Sequence, residues 1–197
     1  PAAYAFSILR WRGRNALFVV IMSRILLPFQ LLIIPLYAIF RSVGWLNSLL
    51  PLLVPPFVGV LFAESFGGVL ALFLLRQFFL TVPVELIEAA RSEGAGDLRI
   101  IWSVVIPLSR PAIITVMLFT FLSCWTMFVA PLLFLSDQSQ YTLSLGLQQF
   151  YGTGISGTAQ FNYLMAMSFV FTLPVLVMFL LAQRYFVEGI SFTGLGG

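Results

Sequence analysis

The 197-residue chain has no lysine, no histidine and a single cysteine, Cys124. Each absence excludes a chemistry. Without lysine there is no phosphate-binding lysine of a Walker-type loop, so the chain is not itself an ATPase of that class. Without histidine it lacks the commonest metal ligand and the commonest general base. One cysteine makes neither an internal disulfide nor a Cys/His zinc site. Charge is scarce as well: ten arginines and seven acids amount to 9% of the residues, against roughly 25% in a soluble domain. A net charge of +3 is too small and too dispersed for a nucleic-acid partner. Hydrophobic residues make up 60%, where about 45–50% is usual. So few charges cannot cover a water-facing surface, and the natural solvent of this chain is lipid. The same numbers exclude a disordered segment, a coiled coil and a disulfide scaffold.

A bilayer crossing needs about 20 mostly apolar residues. Four such runs are present, near residues 15–40, 49–80, 112–135 and 161–182. They are continuously apolar rather than alternating, which predicts helices, since helices satisfy their own backbone in lipid. The first run contains Arg24, Pro28, Gln30 and Pro35. The second is too long for one upright crossing, so either one end is expected to project from the lipid or the helix to break, at Glu64 or at Gly67-Gly68. Arginine placement sets the orientation. Arg10, Arg12 and Arg14 precede the first run, Arg76, Arg91, Arg99 and Arg110 lie around the central loop, and Arg184 follows the last run. Residues 41–48 hold only Arg41, and residues 136–160 hold no basic residue. The positive-inside rule therefore puts both ends and the central loop in the cytoplasm. Residues 1–6 lack a methionine, and residues 2–9 read as the end of an apolar helix, so the natural chain is expected to begin upstream.

The central loop, residues 81–111, is the most distinctive stretch. Thr81 is expected to cap a helix whose first turn holds Pro83 and Glu85. Glu88 and Arg91 lie three apart and can pair. Ala89 and Ala90 are small enough for another surface to approach closely. Gly94-Ala95-Gly96 breaks the helix. Asp97 is expected to cap a second short helix, with Leu98, Ile101, Trp102 and Val105 at helical spacing. Pro107 and Pro111 end it before the third run. Periodicity alone describes an ordinary helix-turn-helix loop that packs against the bundle.

Spacing adds a resemblance. Glu88-Ala89-Ala90, three residues, Gly94, nine residues, then Val104-Val105-Ile106-Pro107 resembles the EAA loop of bacterial ABC importer permeases. In that pattern, E-A-A and G precede I-x-L-P, with Val104 here standing for Ile and Ile106 for Leu. Leu74-Leu75-Arg76-Gln77-Phe78-Phe79 resembles the run leading into the loop in the carbohydrate-type branch. Tyr4-Ala5-Phe6 with Gly13-Arg14-Asn15 resemble the end of that branch's second helix and the following loop, Pro28 and Pro35 with Leu36-Tyr37 its third helix, and residues 183–189 its cytoplasmic tail. Phe121, Trp125 and Phe128 resemble its W-N-x-F stretch, with Thr126 in place of Asn. The tail departs from the family, because Leu195-Gly196-Gly197 stands where a Lys-Gly pair is usual.

The resemblance implies an all-α integral membrane fold, the type I ABC importer transmembrane domain. Residues 1–197 would form one partial domain with about four of an expected six helices, the missing ones lying upstream. Residues 81–111 would be its cytoplasmic coupling loop, with Glu88, Ala89, Ala90, Gly94 and Pro107 as coupling residues. The implied role is a multi-pass permease subunit of the cell inner membrane, not an enzyme. It would carry a sugar or polyol delivered by an extracytoplasmic binding protein. Its partners would be membrane lipid, a second permease subunit and two ATPase subunits; ATP and magnesium would sit on the latter, with no cofactor in this chain. Three other readings stay open: a permease for glycerol phosphate or another non-sugar solute, a passive channel, and an integral-membrane enzyme built on Glu64 or the loop acids.

Polar groups inside spans are costly and point to function. Glu64, Gln30, Gln77, Thr126 and Asn162 are such groups. Lipid exposure of Glu64 would cost about 2.5–3.5 kcal/mol, which favours a place inside the bundle. Trp125, Phe128 and Tyr163 can stack on the apolar face of a sugar; helix packing or an interface belt is the alternative for Trp125 and Phe128. The expected substrate path is therefore Glu64, Trp125, Thr126, Phe128 and Asn162. Arg24 is expected to snorkel to the cytoplasmic surface. Gly152, Gly154 and Gly157 form a G-x-G-x-x-G, but no strand precedes it and no βαβ unit surrounds it, so a dinucleotide site is rejected. It reads instead as an outer loop, one that could touch a binding protein.

Overall fold

In lipid, each backbone group needs a partner within its own segment, and the chain answers with helices throughout. The computed structural model describes the backbone of residues 1–58, 67–152 and 158–191, and the side chains of 1–55, 68–149 and 161–183; no strand occurs among them. In chain order the helices are α1 (Ala2–Ser7), α2 (Arg14–Ser23, continued by a turn at Arg24–Leu26), α3 (Phe29–Ser42), α4 (Leu50–Val58) and α5 (Gly67–Phe79). Next come α6 (Val84–Ser92), α7 (Asp97–Ile100), a widened π turn (Ile101–Val105) and α8 (Ile106–Leu108). The last four are α9 (Arg110–Trp125), α10 (Val129–Phe134), α11 (Leu143–Gly152) and α12 (Thr158–Ser191).

Two of the four expected runs are not single straight helices. The first is broken between α2 and α3, which meet at 99°. The cause is Pro28, which forces the preceding Leu27 into the extended region and so stops the helix there. Pro35, two turns further in, is tolerated inside α3. The second run comprises α4 and α5, and residues 59–66 between them, Glu64 included, lie outside the described residues. The third run stops at Trp125 and restarts at Val129. The fourth is continuous: Phe161–Gln183 of α12 is long and apolar enough to cross a membrane unaided. Counting each bent helix pair as one span would bring the total among the described residues to four. Residues 136–160 are not all loop, since they contain α11.

The third-run helix α9 is the central strut, packed against α5 on one side and α12 on the other, while α1 packs on α5 and α11 on α12. One apolar core joins the base of the bundle to the central loop: Tyr4, Phe6, Phe18, Leu72, Phe79, Ile87, Ile100 and Val105 are all buried together. A second core, Leu36, Phe40, Ala130 and Phe134, ties α3 to α10 at the opposite end. Along α12 the apolar side chains mostly face outward, with Phe169 and Leu181 each 64% exposed. That surface suits lipid or a neighbouring helix.

Asn47 holds the second core together. It adopts a left-handed backbone, φ 56°, a region where asparagine is far more tolerable than most residues. Its amide N–H donates to the Phe134 carbonyl at 2.8 Å. Its Oδ1 accepts from the Ser136 and Asp137 amides at 3.0 and 2.8 Å. One residue thus fastens the α3–α4 turn to the segment after α10. Asn47→Ala should lose both side-chain bonds and strain the backbone, at about 1–2 kcal/mol. A lowered thermal unfolding midpoint in detergent is the expected result, and an unchanged midpoint would remove Asn47 from this role.

Candidate functional site

The central loop is a rigid elbow. Helix α6 turns 81° from α5, and the arm Asp97–Leu108 turns 86° into α9. Thr81 does not cap α6 as expected. Its hydroxyl donates back to the Phe78 carbonyl at 2.7 Å, and Pro83 occupies the cap position. Gly94, with φ +82°, ends α6 in a Schellman motif: the Ala95 amide donates to Ala90 and the Gly94 amide to Arg91. No atom stands near a Cβ added at Gly94, so the requirement there is backbone conformation rather than space.

Asp97 does not cap its own helix either; Gly96 takes the cap position. Its carboxylate accepts instead from the Tyr4 hydroxyl at 2.9 Å and from the Arg91 guanidinium at 3.1 Å. Arg91 therefore pairs with Asp97 rather than with Glu88. Ile87, Ile100, Ile101 and Val105 turn inward to the core. Glu88, Ala89 and Pro107 are exposed and Ala90 is half-buried. Leu98 and Trp102, at 70% and 71% exposure, add two large apolar side chains to the outward face. The π turn lies directly before Pro107, where a proline ring would crowd the preceding helical turn.

Two arginines fasten α1 beneath this elbow. Arg14 donates to the Ser7 and Leu9 carbonyls at 3.0 Å each. Arg76 donates to the Phe6 carbonyl at 3.0 Å, and its guanidinium lies 4.2 Å from the Phe18 ring centroid. Cations suit the carbonyl-rich end of a helix. The Leu74–Phe79 run thus owes its arginine to packing.

A second candidate site opens where α9 breaks. A cavity of ≈380 Å³ is lined by Thr126, Phe128, Ser144, Gln148, Ser168 and Phe171, among others. Thr126 Oγ1 donates to the Leu122 carbonyl at 2.8 Å, and Ser144 Oγ donates to the Met127 carbonyl. Trp125 lies beside the cavity but uses its indole N–H on the Phe171 carbonyl at 3.0 Å. Its ring stacks with Phe121 and Phe171, centroids 5.5 and 5.6 Å away. Of the expected path residues, Thr126 and Phe128 line the cavity, and Trp125 packs helix to helix. Asn162 is exposed on α12 and does not line it, and Glu64 lies outside the described residues. Ser144, Gln148 and Ser168 were not singled out by the sequence. The available signal was the four-residue spacing of Ser144 and Gln148, which puts both on one face of a helix.

The tether from Asp97 has a pH signature. The Tyr4 hydroxyl, then the Arg91 guanidinium, hold its carboxyl below the usual aspartate range. A group depressed on folding stabilises above its unfolded pKa and loses that effect as pH falls through the folded one. The tether should therefore persist at neutral pH and fail only below about pH 4. Amide protection factors across residues 84–108 should drop on the acid side, and Asp97→Asn should show reduced protection already at pH 7. Equal protection in variant and wild type at pH 7 would show that the tether does not hold the arm.

The comparisons with known proteins agree with this architecture. The family model described as binding-protein-dependent transport system inner membrane component matches residues 2–191. The sn-glycerol-3-phosphate transport system permease protein UgpE of Yersinia pestis bv. Antiqua (strain Antiqua) is 35% identical over 189 residues, 96% of this chain and 64% of that protein. The same-named protein of Salmonella typhi is 34% identical over 189 residues, with the same coverage. That of Brucella abortus (strain 2308) is 32% identical over 192 residues, covering 98% and 64%. The chain thus spans 64% of the length of these relatives. An all-helical bundle, an EAA-type elbow fixed to its base and a family match over nearly the whole sequence lead to one assignment: the chain belongs to the binding-protein-dependent transport system inner membrane components, the membrane-domain family of ABC importers.

Proposed function

We propose that this chain is part of a permease subunit in an ATP-driven importer, and that the elbow at 84–108 receives the push of an ATPase partner. The observation that carries the reading is the elbow's construction. Its inner face is fixed to α1 and α5, its outer face offers Glu88, Ala89, Leu98 and Trp102, and it runs directly into α9. Two ATPase subunits, holding ATP and magnesium, would dock on that face from the cytoplasm. A second permease subunit would face this one across the substrate path, and a binding protein would deliver solute to the opposite side. The chain itself performs no chemistry. Because the elbow meets α9 at a steep angle, a push on α6 is converted into tilting of α9, and the cavity at the end of α9 changes shape.

The solute is a small polyhydroxylated molecule, a sugar or polyol. The cavity supports this choice, since hydroxyl and amide groups of Thr126, Ser144, Gln148 and Ser168 alternate there with the rings of Phe128 and Phe171. Such a lining hydrogen-bonds hydroxyls and covers the apolar face of a sugar. A second reading, glycerol phosphate, is favoured by the names of the relatives. The neutral lining supports the uncharged solute over the phosphate ester.

Gly94→Val tests the coupling. A β-branched side chain in the left-handed region costs about 1–2 kcal/mol and loosens the joint between α6 and the arm. In proteoliposomes containing the full-length permease and its partners, the variant should insert and bind the ATPase yet lose solute uptake. Normal uptake would overturn the coupling assignment. Gln148→Leu tests the cavity: uptake efficiency should fall about tenfold for a neutral polyol, with binding-protein-stimulated ATP hydrolysis retained. Uptake that is competed by glycerol phosphate and not by neutral sugars or polyols would decide for the second reading.

A further inference from the structure

The underside of the elbow holds a groove that shares only Glu88 with the proposed coupling face. A cavity of ≈640 Å³ lies between the end of α1, the start of α2 and the α5–α6 turn, with Arg10, Arg14, Glu88 and Arg91 on its walls. Two of its guanidiniums are fixed in place, Arg14 by the Ser7 and Leu9 carbonyls and Arg91 by Asp97. A guanidinium has five N–H donors, so both keep donors to spare. Glu88 and Asp97 offset part of the charge, and Arg10, exposed and paired with no described residue, supplies the excess. Leu80 and Val84, 47% and 51% exposed, give the groove an apolar margin. It sits just past the end of α5, where an apolar helix gives way to the charged loop.

We propose that this groove binds the phosphate of an anionic phospholipid headgroup from the adjacent leaflet. Planar, fixed guanidiniums match the oxygens of a phosphate, and their fixation lowers the entropy lost on binding. Basic pockets at the membrane edge are suited to such headgroups. The apolar margin distinguishes a lipid from a free anion, because Leu80 and Val84 can receive the first methylenes of an acyl chain. Because the groove is walled by α1, α2 and α6 together, a bound lipid bridges the base of the bundle to the coupling elbow and stiffens it. The membrane's anionic lipid content then tunes how well a push on α6 reaches α9. Only the identity of the leaflet rests on the proposed orientation; the site itself does not.

The test uses the full-length permease with its partner subunits, purified in mild detergent and examined by native mass spectrometry with added phosphatidylglycerol or phosphatidylcholine. Phosphatidylglycerol should be retained in preference to phosphatidylcholine. Arg10→Gln should weaken that retention about fivefold, and Arg10→Lys should restore most of it. Leu80→Gln, which changes no charge, should weaken it as well. Unchanged retention in Arg10→Gln, or equal retention of the two lipids, would overturn the proposal. Displacement of the lipid by millimolar inorganic phosphate would also overturn the lipid assignment and make the groove a site for a free anion. An Arg10→Gln complex that loses its ATPase subunits while keeping its lipid would assign the groove to a protein interface instead.

Discussion

The Tyr4 side chain connects the first helix to the elbow across 93 residues of sequence. Its ring is 1% exposed, buried with Phe6, Phe79, Ile100 and Val105, and its hydroxyl ends on the Asp97 carboxylate. The arrangement meets two demands at once. The ring fills the core, while the hydroxyl emerges where Arg91 and Asp97 meet, so no polar atom is left stranded. Without this contact the elbow has no polar tie to α1 through Asp97 and rests on the apolar packing of Ile87, Ile100, Ile101 and Val105. A helix of nine residues such as α6 is marginal on its own in water, and tertiary packing has to hold it. The elbow's rigidity is therefore a property of α1 and α5 as much as of its own sequence.

This dependence explains what could be read directly from the residues and what could not. Membrane residence followed from 9% charge, because no folding arrangement supplies missing polar surface. Gly94 was legible because a left-handed helix end selects glycine locally. Asp97 and Thr81 misled for the opposite reason. Local rules favour both as helix caps, but Asp97 found Tyr4 and Arg91, and Thr81 found the Phe78 carbonyl. Tyr4 lies 93 residues from Asp97, a distance over which sequence pattern carries no signal.

The breaks in the apolar runs divide along the same line. The break at Leu27 and Pro28 has a local cause that is visible in the sequence. The break after Trp125 has a less direct one: residues 126–128 contain neither proline nor glycine, but Pro131 has no N–H for the Met127 carbonyl four residues back and its ring crowds it. Distant partners then hold the unwound segment. Trp125 donates to the Phe171 carbonyl on α12, three residues before Pro174, and Ser144 of α11 donates to the Met127 carbonyl. A carbonyl bonded from another helix need not wait for its own helical partner, so the chain can unwind at low cost. The cavity exists because of that unwinding, which is why its polar residues Ser144, Gln148 and Ser168 carried no recognisable motif.

The two candidate sites lie at opposite ends of one strut. Helix α9 begins at the 86° corner of the elbow and ends at the unwound segment lining the cavity. At 16 residues it spans about 24 Å, and its packing against both α5 and α12 leaves tilting as its easiest motion. Its near end is set by a corner buried in the base core. Its far end is held by the Trp125 bond to the Phe171 carbonyl, by the stacking of that indole on Phe171 and by the Ser144 bond to the Met127 carbonyl, next to the unwound residues 126–128. In the proposed coupling, a rotation imposed at the elbow is absorbed at the far end, where the backbone already departs from the helix and can rearrange without breaking a ladder of internal bonds. In the proposed function, an unwound joint at the cavity and a packed joint at the elbow let a push from water reshape a solute site inside the membrane.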